Sequence, residues 1–295
     1  MKDPGPNLYL RGLLLSGLGM VLLSPDALSM RLIHGADTWT ISFYRSLFLG
    51  CSLSVVLIAF QGGRCVATLR VAGRQGLLIA FFLATANISF VAALVHTTAA
   101  NTLVIMAMTP LFSALMGRMF IGEGVSRRTV LTIIAAFGGV ALIFSDSLGS
   151  GSWDGDLFAV LAAFSQAAAL VMLRHAGRDD IFPILGLAGF LGAAMVWPFA
   201  APLGVAGADL GILAVVGLVM LPLAFGLFLT GVRWVPAAEV ALMALIETVL
   251  GPLLVWFVVG EEPSRWALAG GAIVLCAIAL NATGALRERK TRLSA

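Results

Sequence analysis

Charged and Gly/Pro-rich stretches cut the chain into apolar runs that recur from one end to the other. Each run is long enough to cross the hydrocarbon of a bilayer, which takes about 20 residues of helix. Lipid offers no water to backbone N–H and C=O groups, so a crossing segment must close its own hydrogen bonds as a helix or join a sealed barrel. The runs are unbroken and lack the short alternation of barrel strands, which selects helices. Composition agrees. With 60% hydrophobic residues, 11% charged residues and a mean hydropathy of +1.03, the chain has more apolar surface than one water-soluble core can hide.

Spans are expected near residues 8–33, 39–60, 75–95, 98–120 and 128–146, then near 155–174, 181–203, 209–232, 237–259 and 265–286. The run 12–33 follows Lys2 and Arg11 as a secretory signal would, but it is too long and lacks a small-residue cleavage site. It is expected to remain as the first helix. When both termini are placed in the cytoplasm, only Arg31 and Arg265 of the 18 Lys and Arg residues fall outside, and only Arg45 falls within a span. Short loops rich in Lys and Arg stay inside, and one miscounted helix would reverse every later loop and scramble that skew. The expectation is a multi-pass protein of a bacterial inner membrane with both termini cytoplasmic. Cys65, beside Arg64 and Arg70, belongs to a cytoplasmic loop in this scheme. Cys51, Cys65 and Cys276 are odd in number and imply no disulfide framework. The pI near 9.1 does not point to nucleic acid, because the basic residues are scattered between apolar runs.

An internal repeat is visible. Shifting residues 90–142 forward by 138 positions sets Ala99-Ala100 on Ala237-Ala238, Leu115 on Leu253, Gly122-Glu123 on Gly260-Glu261 and Ser126-Arg127 on Ser264-Arg265. Each half then holds an odd number of helices, so the halves must lie upside down relative to each other, with a substrate site near the midplane between them. The expected fold is an all-α membrane protein of ten transmembrane helices in two inverted-topology five-helix repeats, residues 1–148 and 149–295.

The segment TTAANTLVIMAMTPLFSALMGRMFIGEG places a proline thirteen residues before the glutamate of a Gly-Glu pair, and AAEVALMALIETVLGPLLVWFVVGEEPS echoes it. With these motifs the chain resembles the drug/metabolite transporter superfamily, EamA type, over essentially its whole length. By length and helix layout it is most similar to the YddG-like bacterial amino-acid exporters. The resemblance implies a secondary transporter exporting amino acids, aromatic or other neutral ones among them, or similar metabolites by alternating access. It also implies that helices 3, 4, 6 and 9 line the cavity. One departure is that Thr248 stands in the place of Pro110 while a proline follows at Pro252, so a kink in helix 9 is expected about one turn later.

Ionisable residues inside spans are the sharpest clues, since a charge at a helix centre costs about 2.5 to 3.5 kcal/mol on insertion scales. Glu247 lies near the middle of helix 9, and its repeat partner is Thr109, directly before Pro110. It reads either as a substrate-binding carboxyl or as a neutral structural one. Asp26 and Arg45 fall at similar depth in helices 1 and 2 and are expected to pair, with Pro25 and Asp26 opening helix 1 locally. Asn87, Thr102 and Gln166 are uncharged polar groups in apolar surroundings, suited to substrate contact or to hydrogen bonds between helices. Thr248 follows Glu247, and Phe82 offers an aromatic wall or ordinary packing. Glu123 and Glu261 are expected to cap the helices that follow them or to pair with Arg127 and Arg265. Gly138-Gly139 and Gly270-Gly271 suit close helix packing.

No metal-ligand spacing surrounds His34, His96 or His175, and no cofactor is expected. No Walker A pattern is present, which excludes ATP-driven pumping by this chain alone. An intramembrane enzyme would need a nucleophile, a base or metal ligands converging at depth, and neither a GxSxG elbow nor paired ligands occur. A channel would carry a filter or charged rings. The partners expected are a small-molecule substrate and the bilayer, around a monomer. Drugs and other amphipathic metabolites fit an apolar cavity with few polar groups as an alternative cargo.

Overall fold

Every long apolar run is helical in the computed structural model, which describes residues 5–61, 64–122, 127–150, 152–175, 182–201, 204–205, 207–232, 234 and 237–294. Helix α1 runs over Gly5–Leu23 and resumes after Ser24 as Pro25–Arg31. Helices α2 and α3 follow at Thr38–Gln61 and Arg64–His96, and α4 comprises Ala99–Met106, Thr109–Met116 and a π turn at Gly117–Ile121. Next come α5 at Arg127–Ser150, α6 at Trp153–His175 and α7 at Phe182–Val196, the last closed by a 3-10 turn at Trp197–Phe199. Helix α8 joins Gly207–Ala214, a π stretch at Val215–Met220 and Leu221–Val232. Helices α9 and α10 are Ala237–Val259 and Arg265–Ser294. Eight of these ten are long and apolar enough to cross a membrane, and α9 and α10 carry shorter apolar cores at Leu245–Val259 and Arg265–Asn281.

The breaks follow proline and glycine chemistry. Proline has no N–H to return to the carbonyl four residues back. In α4 the ladder is interrupted at Ala107 and Met108, just before Pro110, and the Thr109 hydroxyl donates to the Met106 carbonyl at 2.7 Å in place of the missing proline N–H. Helix α9 runs through Pro252 as one helix. Gly73, with φ +55°, breaks α3, and the crossing segment begins there. Gly122 and Gly260, at φ +74° and +77°, end α4 and α9 in the left-handed conformation that glycine adopts without steric cost. The glycine of each Gly-Glu pair is thus a helix stop.

Packing between the halves shows the repeat directly. Helix α2 packs on α7, α4 on α9 and α5 on α10, while α1 packs on α8 and α3 on α6. Matching each helix with the one five later in the chain maps this set onto itself, as a two-fold relation between five-helix halves requires. Buried Met20, Leu23, Ala27, Leu94 and Leu103 form one core with Leu213 and Leu221 of the second half. Large apolar side chains such as Leu131, Ile134, Phe257 and Leu280 face outwards, as lipid-facing positions do. Cys51 and Cys276 are free thiols, and the Cys65 side chain lies outside the described residues.

At the α5/α10 crossing the two glycine pairs are not equivalent. A Cβ on Gly139 would meet the Gly270 carbonyl at 2.7 Å and Val274 at 2.9 Å, and a Cβ on Gly270 would strike the Gly139 carbonyl, whereas one on Gly138 would meet nothing within 4 Å. Gly270→Ala is therefore expected to force the helices apart at a cost of about 1 to 3 kcal/mol. Gly138→Ala is expected to be neutral or slightly stabilising. Thermal unfolding of the two variants in detergent checks this, and equal melting temperatures would contradict the crossing.

Candidate functional site

The interruption of α1 after Ser24 places Asp26 in the first turn of the short helix Pro25–Arg31, where free backbone N–H groups favour a carboxylate. From α2, Arg45 reaches the same point, and its Nη1 and Nη2 donate to the two oxygens of Asp26. Both residues are buried, at 2% and 3% exposure, so this is a bidentate pair withdrawn from water and lipid alike. Arg45 Nε donates to Asn87 Oδ1 of α3 at 3.0 Å, and Asn87 Nδ2 donates to Ser46 Oγ at 3.0 Å. The Arg45 guanidinium carbon lies 5.7 Å from the centre of the Phe90 ring. The expected Asp26 and Arg45 pair is present. Ser46 and Phe90, which complete it, carry no signal in the sequence because a serine and a phenylalanine in a span are ordinary packing residues.

Glu247 comes to this centre from α9. Met243, one turn before it on the same helix face, packs against the core that contains Ala27 and Met30 of α1. One turn on, a Cβ on Gly251 would lie 3.7 Å from the Ser24 carbonyl and against Leu103 of α4. Glu247 therefore stands beside the α1 break and interacts electrostatically with both Asp26 and Arg45. Its side chain is half-buried, and among the described residues none donates a hydrogen bond to it.

The other polar candidates divide. Asn87 belongs to the centre. Thr102 is fully buried and spends its hydroxyl on the Thr98 carbonyl of its own helix at 3.0 Å, as Thr109 does on Met106. Gln166 is half-buried on α6, and Thr248 is buried beside Glu247. Phe82 packs in the apolar layers between α3 and α6 with its ring 5.8 Å from that of Phe81. A pocket of about 130 Å³ bounded by Gln75, Phe120, Val171, Met172 and His175 lies at the opposite end of the bundle from Glu261, and none of the buried charges lines it.

Two five-helix halves enclosing a charged centre form the architecture of a membrane carrier, and the family model of the EamA-like transporter family matches residues 10–145 and 153–283. The chain belongs to the EamA-like transporter family. It is thus a membrane transporter for a small-molecule substrate, not an enzyme. An uncharacterized transporter of Archaeoglobus fulgidus is 27% identical over 266 residues, covering 88% of this chain and 92% of that protein. One crystal structure aligns with a TM-score of 0.68 at 18% identity over 94% of this chain and 98% of its own, a likeness in fold.

In this EamA-like transporter the second Gly-Glu motif closes one end of the bundle. Arg31 Nε lies 2.7 Å from Glu261 Oε2, and Arg31 Nη2 donates to the Thr97 carbonyl at 2.5 Å. Glu261 Oε1 accepts the Ala99 N–H at 2.7 Å, the first free donor of α4. Glu261 is a cap, but of α4 in the other half; α10 is capped by Ser264, whose Oγ accepts the Ala267 N–H at 3.0 Å. Its ionic partner is Arg31 instead of the expected Arg265. Glu123 lies outside the described residues. At the same end, buried Asp156 accepts from Thr97 and Asn101 at 2.7 and 3.2 Å, and Asp209 accepts the Gly35 N–H at 2.7 Å.

Two outcomes follow from these geometries. Removing one member of the buried pair, by Asp26→Asn or Arg45→Met, leaves the other charge unmatched and is expected to cost about 3 to 5 kcal/mol, while the double variant recovers much of that loss. Additive losses of folded protein in the double-mutant cycle would refute the coupling. Glu261→Ala removes both cap and ion pair and is expected to lower stability by about 1 to 2 kcal/mol, more than Glu261→Gln, which keeps an acceptor for Ala99. Thermal melts of the two purified variants check the order.

Proposed function

We propose that the chain is a secondary transporter that exports amino acids or similar small metabolites from a bacterial cell by alternating access. It works as a monomer in the inner membrane with both termini cytoplasmic, and residues 1–148 and 149–295 act as its two inverted repeats. The observation that carries this reading is Glu247. A half-buried carboxyl without a donor among the described residues, beside a matched ion pair and next to interrupted helices, is a group held for a ligand. The similarity to the YddG-like exporters and the skew of Lys and Arg support direction and orientation. Under that orientation the Arg31–Glu261 contact lies on the outer side. Within the site, Asn87 and Gln166 are the uncharged polar groups offered to the substrate beside Glu247, and Thr102, Thr109 and Thr248 shape α4 and α9. Phe82 forms part of the wall.

Glu247→Gln keeps volume and hydrogen-bonding capacity but removes the charge. The expected result is a folded protein with transport reduced about tenfold or more and a flattened response to pH, since an ion pair to a ligand at low dielectric is lost. Counterflow in proteoliposomes against an amino-acid panel measures it. A purified variant matching wild type in rate and pH profile would make Glu247 structural.

A further inference from the structure

The charges that reach the buried centre come from three helices. Asp26 arrives from α1, Arg45 from α2 and Glu247 from α9, while α3 contributes the neutral Asn87. Arg45 is matched by Asp26 through both Nη groups and is tied to Asn87 through Nε. Its exposure is 3%, so a ligand carboxylate would have to break the bidentate pair to reach it. Nothing comparable restrains Glu247, which no described residue engages by a hydrogen bond. When Glu247 is ionised, the described residues at the centre therefore carry one positive and two negative charges, and the unmatched one is a carboxylate.

We propose that Glu247 binds the ammonium group of the substrate, and that the Asp26–Arg45 pair, already satisfied, makes the site select solutes of net positive charge, such as basic amino acids and amines. This rests on the transport reading above and narrows it. A solute with one net positive charge leaves the occupied centre electrically balanced. A zwitterion satisfies Glu247 with its ammonium but leaves its own carboxylate unbalanced where the cation of the described residues, Arg45, is engaged, whereas a basic amino acid carries a second ammonium that balances its carboxylate, and an unpaired charge in low dielectric is costly. The pair is a built-in filter, because with the guanidinium withheld a solute carboxylate has to be balanced by a second cation of the solute itself.

The test compares radiolabelled L-lysine with L-glutamine, which are close in length and differ in net charge, by counterflow into proteoliposomes containing the full chain. Lysine is expected to exchange about tenfold or more faster than glutamine, in the range that one unpaired charge confers. In Glu247→Gln both rates are expected to fall, lysine more steeply, so that their ratio approaches one. Equal rates in the wild type, or a faster glutamine rate, would overturn the charge selection and leave amino-acid export standing. If the folded protein exchanges neither, export of amino acids fails together with the selection. The wild-type ratio decides the question even where the variant does not fold.

Discussion

A backbone that crosses lipid has to return every hydrogen bond to itself, and the architecture of this transporter is governed by the few places where it does not. At Pro110 the missing N–H is replaced by the Thr109 hydroxyl on Met106. Before Pro25, α1 breaks at Ser24, and the short helix that follows carries Asp26 in its first turn, where a carboxylate is favoured. At the end of the bundle, the first free N–H of α4 is taken by Glu261 of the opposite half. Each of these three exceptions is a point where a polar side chain is drawn into the protein interior, at or beside a contact between the halves.

The same constraint explains why so few charges suffice. Inside the bundle a lone charge is expensive, so Asp26 and Arg45 exist there as a matched pair. Matching removes their net field but not their rigidity. Bonds from Arg45 to Asp26 and Asn87, and from Asn87 to Ser46, tie α1, α2 and α3 into one unit at the level of the site. Glu247 approaches that unit from α9, across the interface between the repeats. A carrier that rocks one half against the other changes the relation between Glu247 and this unit while leaving the unit intact.

Much of this was legible in the residues themselves. Run lengths and the skew of Lys and Arg sufficed for the helices, and the 138-residue shift sufficed for the halves, because insertion into lipid depends on length and polarity alone. The Asp26 and Arg45 pair was legible because two opposite charges in adjacent spans have little choice of partner. Rotation about the helix axis was not legible. A helix apolar on all sides carries no periodic signal for its azimuth, so Gly138 and Gly139 looked alike although one faces open space and the other a backbone crossing. The direction of the Thr102 hydroxyl, which donates to the Thr98 carbonyl, was hidden for the same reason. Glu261 misled by proximity: Arg265 is four residues away, but the partner it meets is Arg31, which is 230 residues away.

The two repeats supply a nearly symmetric frame, and the chemistry lies where the symmetry is broken. Thr109 and Glu247 occupy equivalent positions, as do Pro110 and Thr248. In the first half the proline follows at once, and the Thr109 hydroxyl is consumed in repairing the ladder beneath it. In the second half the proline comes one turn later, at Pro252, and α9 stays helical through the position of the acid. Glu247 is therefore not needed by the backbone. Moving one proline by four residues frees a side chain at the depth where the halves meet, and the side chain that stands there is a carboxyl without a backbone task.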